Sequence, residues 1–173
     1  MQTHPSSGRR GFTMLELLVT VTLIGVISMM AFGRTSSMMT QWRVARAAQA
    51  YAEELQAAFA IVGRDRKPVR VILVKTNTTT IKRVELQITN RDGSVIYRTR
   101  NLGPESAYKL DLGDISSSKG TDPLVIFPPG LAADTLTVTF TRQGKFRRVR
   151  LLRGGLVQVC SNPSTVNGPC TPA

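Results

Sequence analysis

The feature that most constrains this chain is a run of 21 residues, 12–32, that carries a single charge, Glu16. About 20 apolar residues cross the hydrocarbon core of a bilayer as a helix, so the run is long enough to span. Arg9 and Arg10 precede it. Flanking basic residues are retained on the cytoplasmic side, so the remainder of the chain is expected outside. A secretory signal peptide has a similar basic start but a shorter apolar core that ends at small residues. The nearest such site, Met29-Met30-Ala31, fits poorly. A plain signal anchor fits the length but gives no reason for a carboxylate five residues into the run. An ionisable group at that depth is costly unless paired, and by default points to a function.

A third reading supplies the pair. Gly11-Phe12-Thr13-Met14-Leu15-Glu16 resembles the Gly-Phe-Thr-x-x-Glu junction of type IV prepilins and type II secretion pseudopilins. The resemblance implies that a membrane peptidase cuts between Gly11 and Phe12 and methylates the new amine of Phe12. It also implies that Glu16 pairs with the N-terminal amine of a neighbouring subunit during assembly. The implied partners are prepilin peptidase, other pilin or pseudopilin subunits and the bacterial inner membrane, crossed once with the globular part outside the cytoplasm.

Twenty-three Lys and Arg stand against eleven Asp and Glu, a formal charge of +12. Loss of a leader ending at Gly11 removes Arg9 and Arg10 and leaves twenty-one basic side chains against the same eleven acids. Such a balance reads either as a solvated surface or as attraction to a polyanion, nucleic acid or acidic membrane. The two cysteines, Cys160 and Cys170, lie near the C-terminus, and the one histidine, His4, lies in the leader. In a reducing cytosol the pair reads as inert thiols or half a metal site; a closed zinc site lacks ligands. In an exported domain a Cys160–Cys170 disulfide is the natural reading. No cofactor and no enzymatic activity are expected, because the acids are dispersed and no phosphate-binding glycine loop is present.

Gly33-Arg34-Thr35-Ser36-Ser37 interrupts the apolar run. Val44, Ala48, Tyr51, Leu55, Ala58 and Val62 then recur at helical spacing, with Arg43, Arg46, Gln49, Glu53 and Gln56 off the stripe. Gly63 and Pro68 are expected to end this helix. The rest reads as strands: residues 69–74, 84–89, 95–97, 124–127, 135–141, 145–152 and 156–160. Asn90-Arg91-Asp92-Gly93 and Gln143-Gly144 are the hairpin turns, and residues 116–121 are expected to be loop. The expected organisation is a leader (1–11), a transmembrane and assembly helix (12–33), an amphipathic helix (34–63), an antiparallel β domain (64–160) and a disulfide-closed tail (161–173).

A long N-terminal helix packed on an antiparallel sheet, an α+β class, is the pilin-like layout. Within it the chain resembles the GspH/FimT group. The segments that carry the resemblance are Ala47-Ala48-Gln49, Pro68-Val69-Arg70-Val71, Phe127-Pro128-Pro129-Gly130, Thr135-Leu136-Thr137-Val138 and residues 155–160. The resemblance implies a minor pilin that helps to initiate or cap a type IV pilus. The alternative is a GspH-like pseudopilin of a type II secretion system with no nucleic-acid role.

A two-residue turn at Gln143-Gly144 fixes cross-strand partners whose numbers sum to 287. Phe140 then faces Arg147, Val138 faces Val149 and Leu136 faces Leu151 on the buried side. Thr139 with Arg148 and Thr137 with Arg150 form an expected solvent face, with Phe146 beside them. Arg142, Lys145, Arg147, Arg148, Arg150 and Arg153 fall within twelve positions that contain no acid. That is a candidate surface for DNA phosphates, set against an edge-protecting charged hairpin. FimT-type minor pilins are associated with DNA uptake through a Gly-Arg-x-Arg motif. The matching stretch here, Gly155-Leu156-Val157-Gln158, lacks both arginines, so that motif does not carry over.

Overall fold

One helix, α1, runs Met14–Asp65 through the polar interruption at residues 33–37 without a break. The computed structural model describes residues 12–78 and 82–160, and of residues 31–34 the backbone only. The leader with Gly11, and the tail with Cys170, lie outside the described residues. The chain divides into two units between Met38 and Met39.

In the first unit the apolar side chains from Phe12 to Met30 are exposed, and this part of α1 is long and apolar enough to cross a membrane. Two of its threonine hydroxyls are satisfied within the helix. Thr20 Oγ1 donates to the Leu17 carbonyl at 2.9 Å, and Thr22 Oγ1 to those of Leu18 and Val19. Bonds of this kind suit a medium that offers no water to polar groups.

In the second unit α1 buries the predicted stripe, Val44, Ala48, Tyr51, Leu55, Ala58 and Val62, and Ala47, Ala50 and Ala52 beside it. Small residues here let strands approach the helix on a wide arc. The helix passes through Gly63 and ends two residues later than the sequence suggests. Arg66 takes a left-handed conformation (φ 51°), and its N–H donates to the Val62 carbonyl at 2.9 Å. Pro68, which cannot continue a helix, then leads into the first strand.

Two antiparallel sheets pack around this helix in one core. The first has the order β3-β2-β1-β5-β6, from β1 (Val69–Asn77), β2 (Lys82–Asn90), β3 (Ile96–Asn101), β5 (Leu124–Phe127) and β6 (Leu131–Ala132). The second has the order β4-β7-β8-β9, from β4 (Ile115–Ser117), β7 (Leu136–Arg142), β8 (Lys145–Leu151) and β9 (Val157–Cys160). Alternation explains the core: Val69, Val71 and Leu73 face it from β1, and Val84, Leu86 and Ile88 from β2. Part of the expected loop at 116–121 is strand instead. β4 is only three residues long, too short to show a period, and it forms because Ile115 pairs with Phe140 in the core.

The sheets are joined at several points. Lys75 Nζ, on β1, donates to the carbonyls of Leu112, ahead of β4, and of Ile115, its first residue, and burial lowers its pKa. The Ala132 N–H, on β6, donates to the Arg153 carbonyl at 3.0 Å. Beside that bond, Gly155 has φ 84° and lies so close to the turn before β6 that a Cβ would sit 2.9 Å from the Gly130 carbonyl oxygen. Glycine is required there on both counts.

Candidate functional site

The N-terminal junction is built by a helix cap. The Glu16 N–H donates to Thr13 Oγ1 at 3.3 Å and to the Thr13 carbonyl at 3.0 Å. Thr13 is therefore the N-cap of α1, and Glu16 occupies its third position, the Thr-x-x-Glu spacing of a capping box. A carboxylate in the first turn is also favoured by the helix dipole. Glu16 has no ion-pair partner among the described residues, and Phe12 is exposed. The junction thus presents an acid on an apolar helix with nothing to neutralise it from its own chain, among the described residues.

The basic hairpin has the expected register in all seven pairs, from Leu136 with Leu151 to Arg142 with Lys145. Its charges do not form one surface. Cross-strand partners share a face and successive residues alternate, so Arg142, Lys145 and Arg147 lie on the helix-facing side at the tip. Arg148 and Arg150 lie on the other side, with Phe146.

The expected solvent face is corrected at its centre. Arg148 is only 8% exposed, because β8 is an interior strand rather than one arm of an isolated hairpin. Arg148 stands between Thr139 on β7 and Cys160 on β9, and Thr139 pairs in turn with Ser116 on β4. Two more of the six basic residues are engaged by acids that the sequence places elsewhere. Arg142 Nη1 lies 3.2 Å from Asp114 and 3.9 Å from Asp111. Arg153 Nη2 lies 3.3 Å from Asp134, which also accepts from Lys119 Nζ at 2.6 Å. The hydrogen bond from Lys119 is the main reason that the Asp134 carboxyl stays below the usual range. Lys145, Arg147 and Arg150 have no ion pair among the described residues. Cys160 is buried at the end of β9; its expected partner, Cys170, lies outside the described residues.

Sequence reasoning missed Glu54. It lies on α1 with its side chain 4% exposed, and it takes Arg98 Nε at 2.9 Å and Arg100 Nη2 at 2.8 Å. Two arginines from one face of the edge strand β3 thus close on one buried carboxylate of the helix. The only local signal was the i, i+2 spacing of Arg98 and Arg100, which strand alternation puts on one face.

Residues 6–32 match the prokaryotic N-terminal methylation motif. The fold matches crystal structures of the type IV minor pilin FimU of Pseudomonas aeruginosa in two crystal forms. One has a TM-score of 0.52, covering 70% of this chain and 89% of that one. The other has 0.51, covering 69% and 92%. Sequence identity is 18% in both, so the likeness is one of fold. The chain is type IV pilin-like. Comparison with curated proteins finds no match.

Proposed function

We propose that this chain is a minor subunit of a type IV pilus. Prepilin peptidase cuts after Gly11 and methylates Phe12, α1 anchors the chain in the inner membrane with the β domain outside, and Glu16 pairs with a neighbour's N-terminal amine. The observation that carries this reading is the joint occurrence of the methylation motif over residues 6–32 and a pilin fold beyond it. Glu16, without an ion pair among the described residues and set on a capped apolar helix, supports it. Mass spectrometry of the mature chain is expected to find an N-terminus at Phe12 carrying one added methyl group. An intact Met1 end in cells with the peptidase would remove the proposal. Closure of the tail by Cys160 and Cys170 belongs to the same reading, and resistance of both thiols to alkylation before reduction checks it.

A GspH-like pseudopilin would share the junction and the layout. The fold match to a minor pilin favours the pilus, and the major subunit that copurifies with sheared filaments decides between them. DNA capture is the finer part of the proposal. On the outer face of β8 it rests on Arg150 and Phe146, since Arg148 is buried and Arg142 and Arg153 are paired. Unchanged DNA retention by Arg150→Ala at low salt removes that part.

A further inference from the structure

We infer that the tip of the β7–β8 hairpin, through Lys145 and Arg147, docks onto anionic phospholipid headgroups of the membrane that holds α1. This rests on the membrane-anchored reading above. Three contacts set the direction of β7 and β8 along the helix. Thr40 Oγ1 donates to Gln143 Oε1 at 2.9 Å. Tyr51 packs edge-on against Phe140, ring centroids 5.6 Å apart. The ring of Phe59 lies against Gly155, 3.3 Å from where a Cβ would stand. The hairpin tip is therefore held at the N-terminal end of the domain's helix, and the turn before β9 at its C-terminal end.

Thr40 follows Phe32, the last residue of the apolar run, by only eight positions. Eight residues of helix rise about 12 Å. The headgroup layer extends about 5–7 Å beyond the hydrocarbon core on each side, and Lys and Arg side chains reach further while keeping their charged ends polar. Lys145 is exposed and Arg147 half-buried. Their charge is reinforced from the helix at the same level: α1 carries Arg43 and Arg46 there, and no acid between Glu16 and Glu53. The acids nearest the tip, Asp111 and Asp114, are taken by Arg142. An aromatic that suits an interface, Trp42, stands two residues from Thr40 and is 61% exposed. The result is a basic collar, its nearest acids paired, on the stretch of chain that begins eight residues after the apolar run. Nucleic acid offers the same phosphate chemistry, but this position favours the phosphates already fixed next to the span.

Trp42 is the one tryptophan of the chain, so it reports this level without a label. The full-length protein is reconstituted into vesicles of phosphatidylcholine, or of phosphatidylcholine with phosphatidylglycerol. Trp42 is then quenched from water by acrylamide and from the bilayer by brominated lipid. Anionic lipid is expected to lower the first and raise the second. Each basic residue at an anionic surface contributes about fivefold, so the double variant Lys145→Glu/Arg147→Glu should return Trp42 to its phosphatidylcholine behaviour. High salt should do the same with the wild-type chain, which separates docking from any folding defect of the variant. Carbonate-resistant insertion with a Trp42 indifferent to lipid charge overturns this inference alone. Loss of insertion itself overturns the anchored reading beneath it. If the double variant abolishes DNA retention while lipid charge leaves Trp42 unmoved, the tip's ligand is nucleic acid, and the lipid assignment is wrong.

Discussion

Arg98 and Arg100 on β3 and Lys145, Arg147 and Arg150 on β8 look alike in the sequence: each set is a cluster of basic residues in a strand. The first set closes on the buried Glu54 at 2.8–2.9 Å and fastens an edge strand to the helix. The second meets no acid among the described residues. A formal charge of +12 therefore says little about the charge available to a ligand. What matters is where the acids lie after folding: among the described residues Glu54, Asp65, Glu85, Glu105, Asp111, Asp114 and Asp134 lie against basic side chains.

The sharpest test of this difference removes the acid. Glu54→Ala leaves two half-exposed guanidinium groups (50% and 36% for Arg98 and Arg100) facing an apolar gap. Breaking a buried ion pair from one side costs about 3–5 kcal/mol. Because both arginines can turn to water, a loss of about 2–3 kcal/mol is expected in urea unfolding of the full-length protein in mild detergent. Neutralising Lys145, Arg147 and Arg150 to Ala should change the same midpoint by less than about 0.5 kcal/mol each. Equal costs for the two sets would erase the distinction.

A smaller effect is expected where one arginine is moved from the first class to the second. Asp114 accepts from Arg142 at 3.2 Å and from the Asp111 N–H at 2.9 Å, closing a single helical turn ahead of β4. Asp114→Asn should cost about 1 kcal/mol, the scale of a lost cap with a partly exposed ion pair. It should also release Arg142 toward the hairpin tip and strengthen attachment to anionic vesicles. Stability and anion affinity then change in opposite directions. Weaker attachment on freeing Arg142 would count against the tip as an anion site.

These fates explain how much the sequence could disclose. The methylation motif over residues 6–32 is legible because its spacing is local, and the capping role of Thr13 is written in the four residues from Thr13 to Glu16. The β7–β8 register is legible because a two-residue turn at Gln143 and Gly144 fixes every pair. The burial of Arg148 was not legible, since it depends on β4 and β9 joining the hairpin from either side. Nor were the ion pairs: Glu54 meets arginines 44 and 46 positions away, and Asp114 lies 28 positions from Arg142. Alternation and turn chemistry report on neighbours in sequence. They carry no information about which distant acid will face a given guanidinium.

The mildest case is Asp134, shared by Lys119 at 2.6 Å and Arg153 at 3.3 Å. Its pKa is lowered in the folded chain, first by the hydrogen bond from Lys119. A lowered folded value means that the unfolded chain takes up this proton first as pH falls. The stabilisation is therefore complete above the ordinary carboxylate value of about 4. It is lost as pH falls through the lower folded value. The site is solvent-exposed, so the contribution is small and screened by salt. In low salt, Asp134→Asn should unfold slightly earlier than the wild type at neutral pH, with the two midpoints converging in acid. A gap that widens as pH falls would show that Asp134 is not the proton-linked partner of Lys119. It would also move Arg153 out of the paired class and into that of Lys145, Arg147 and Arg150.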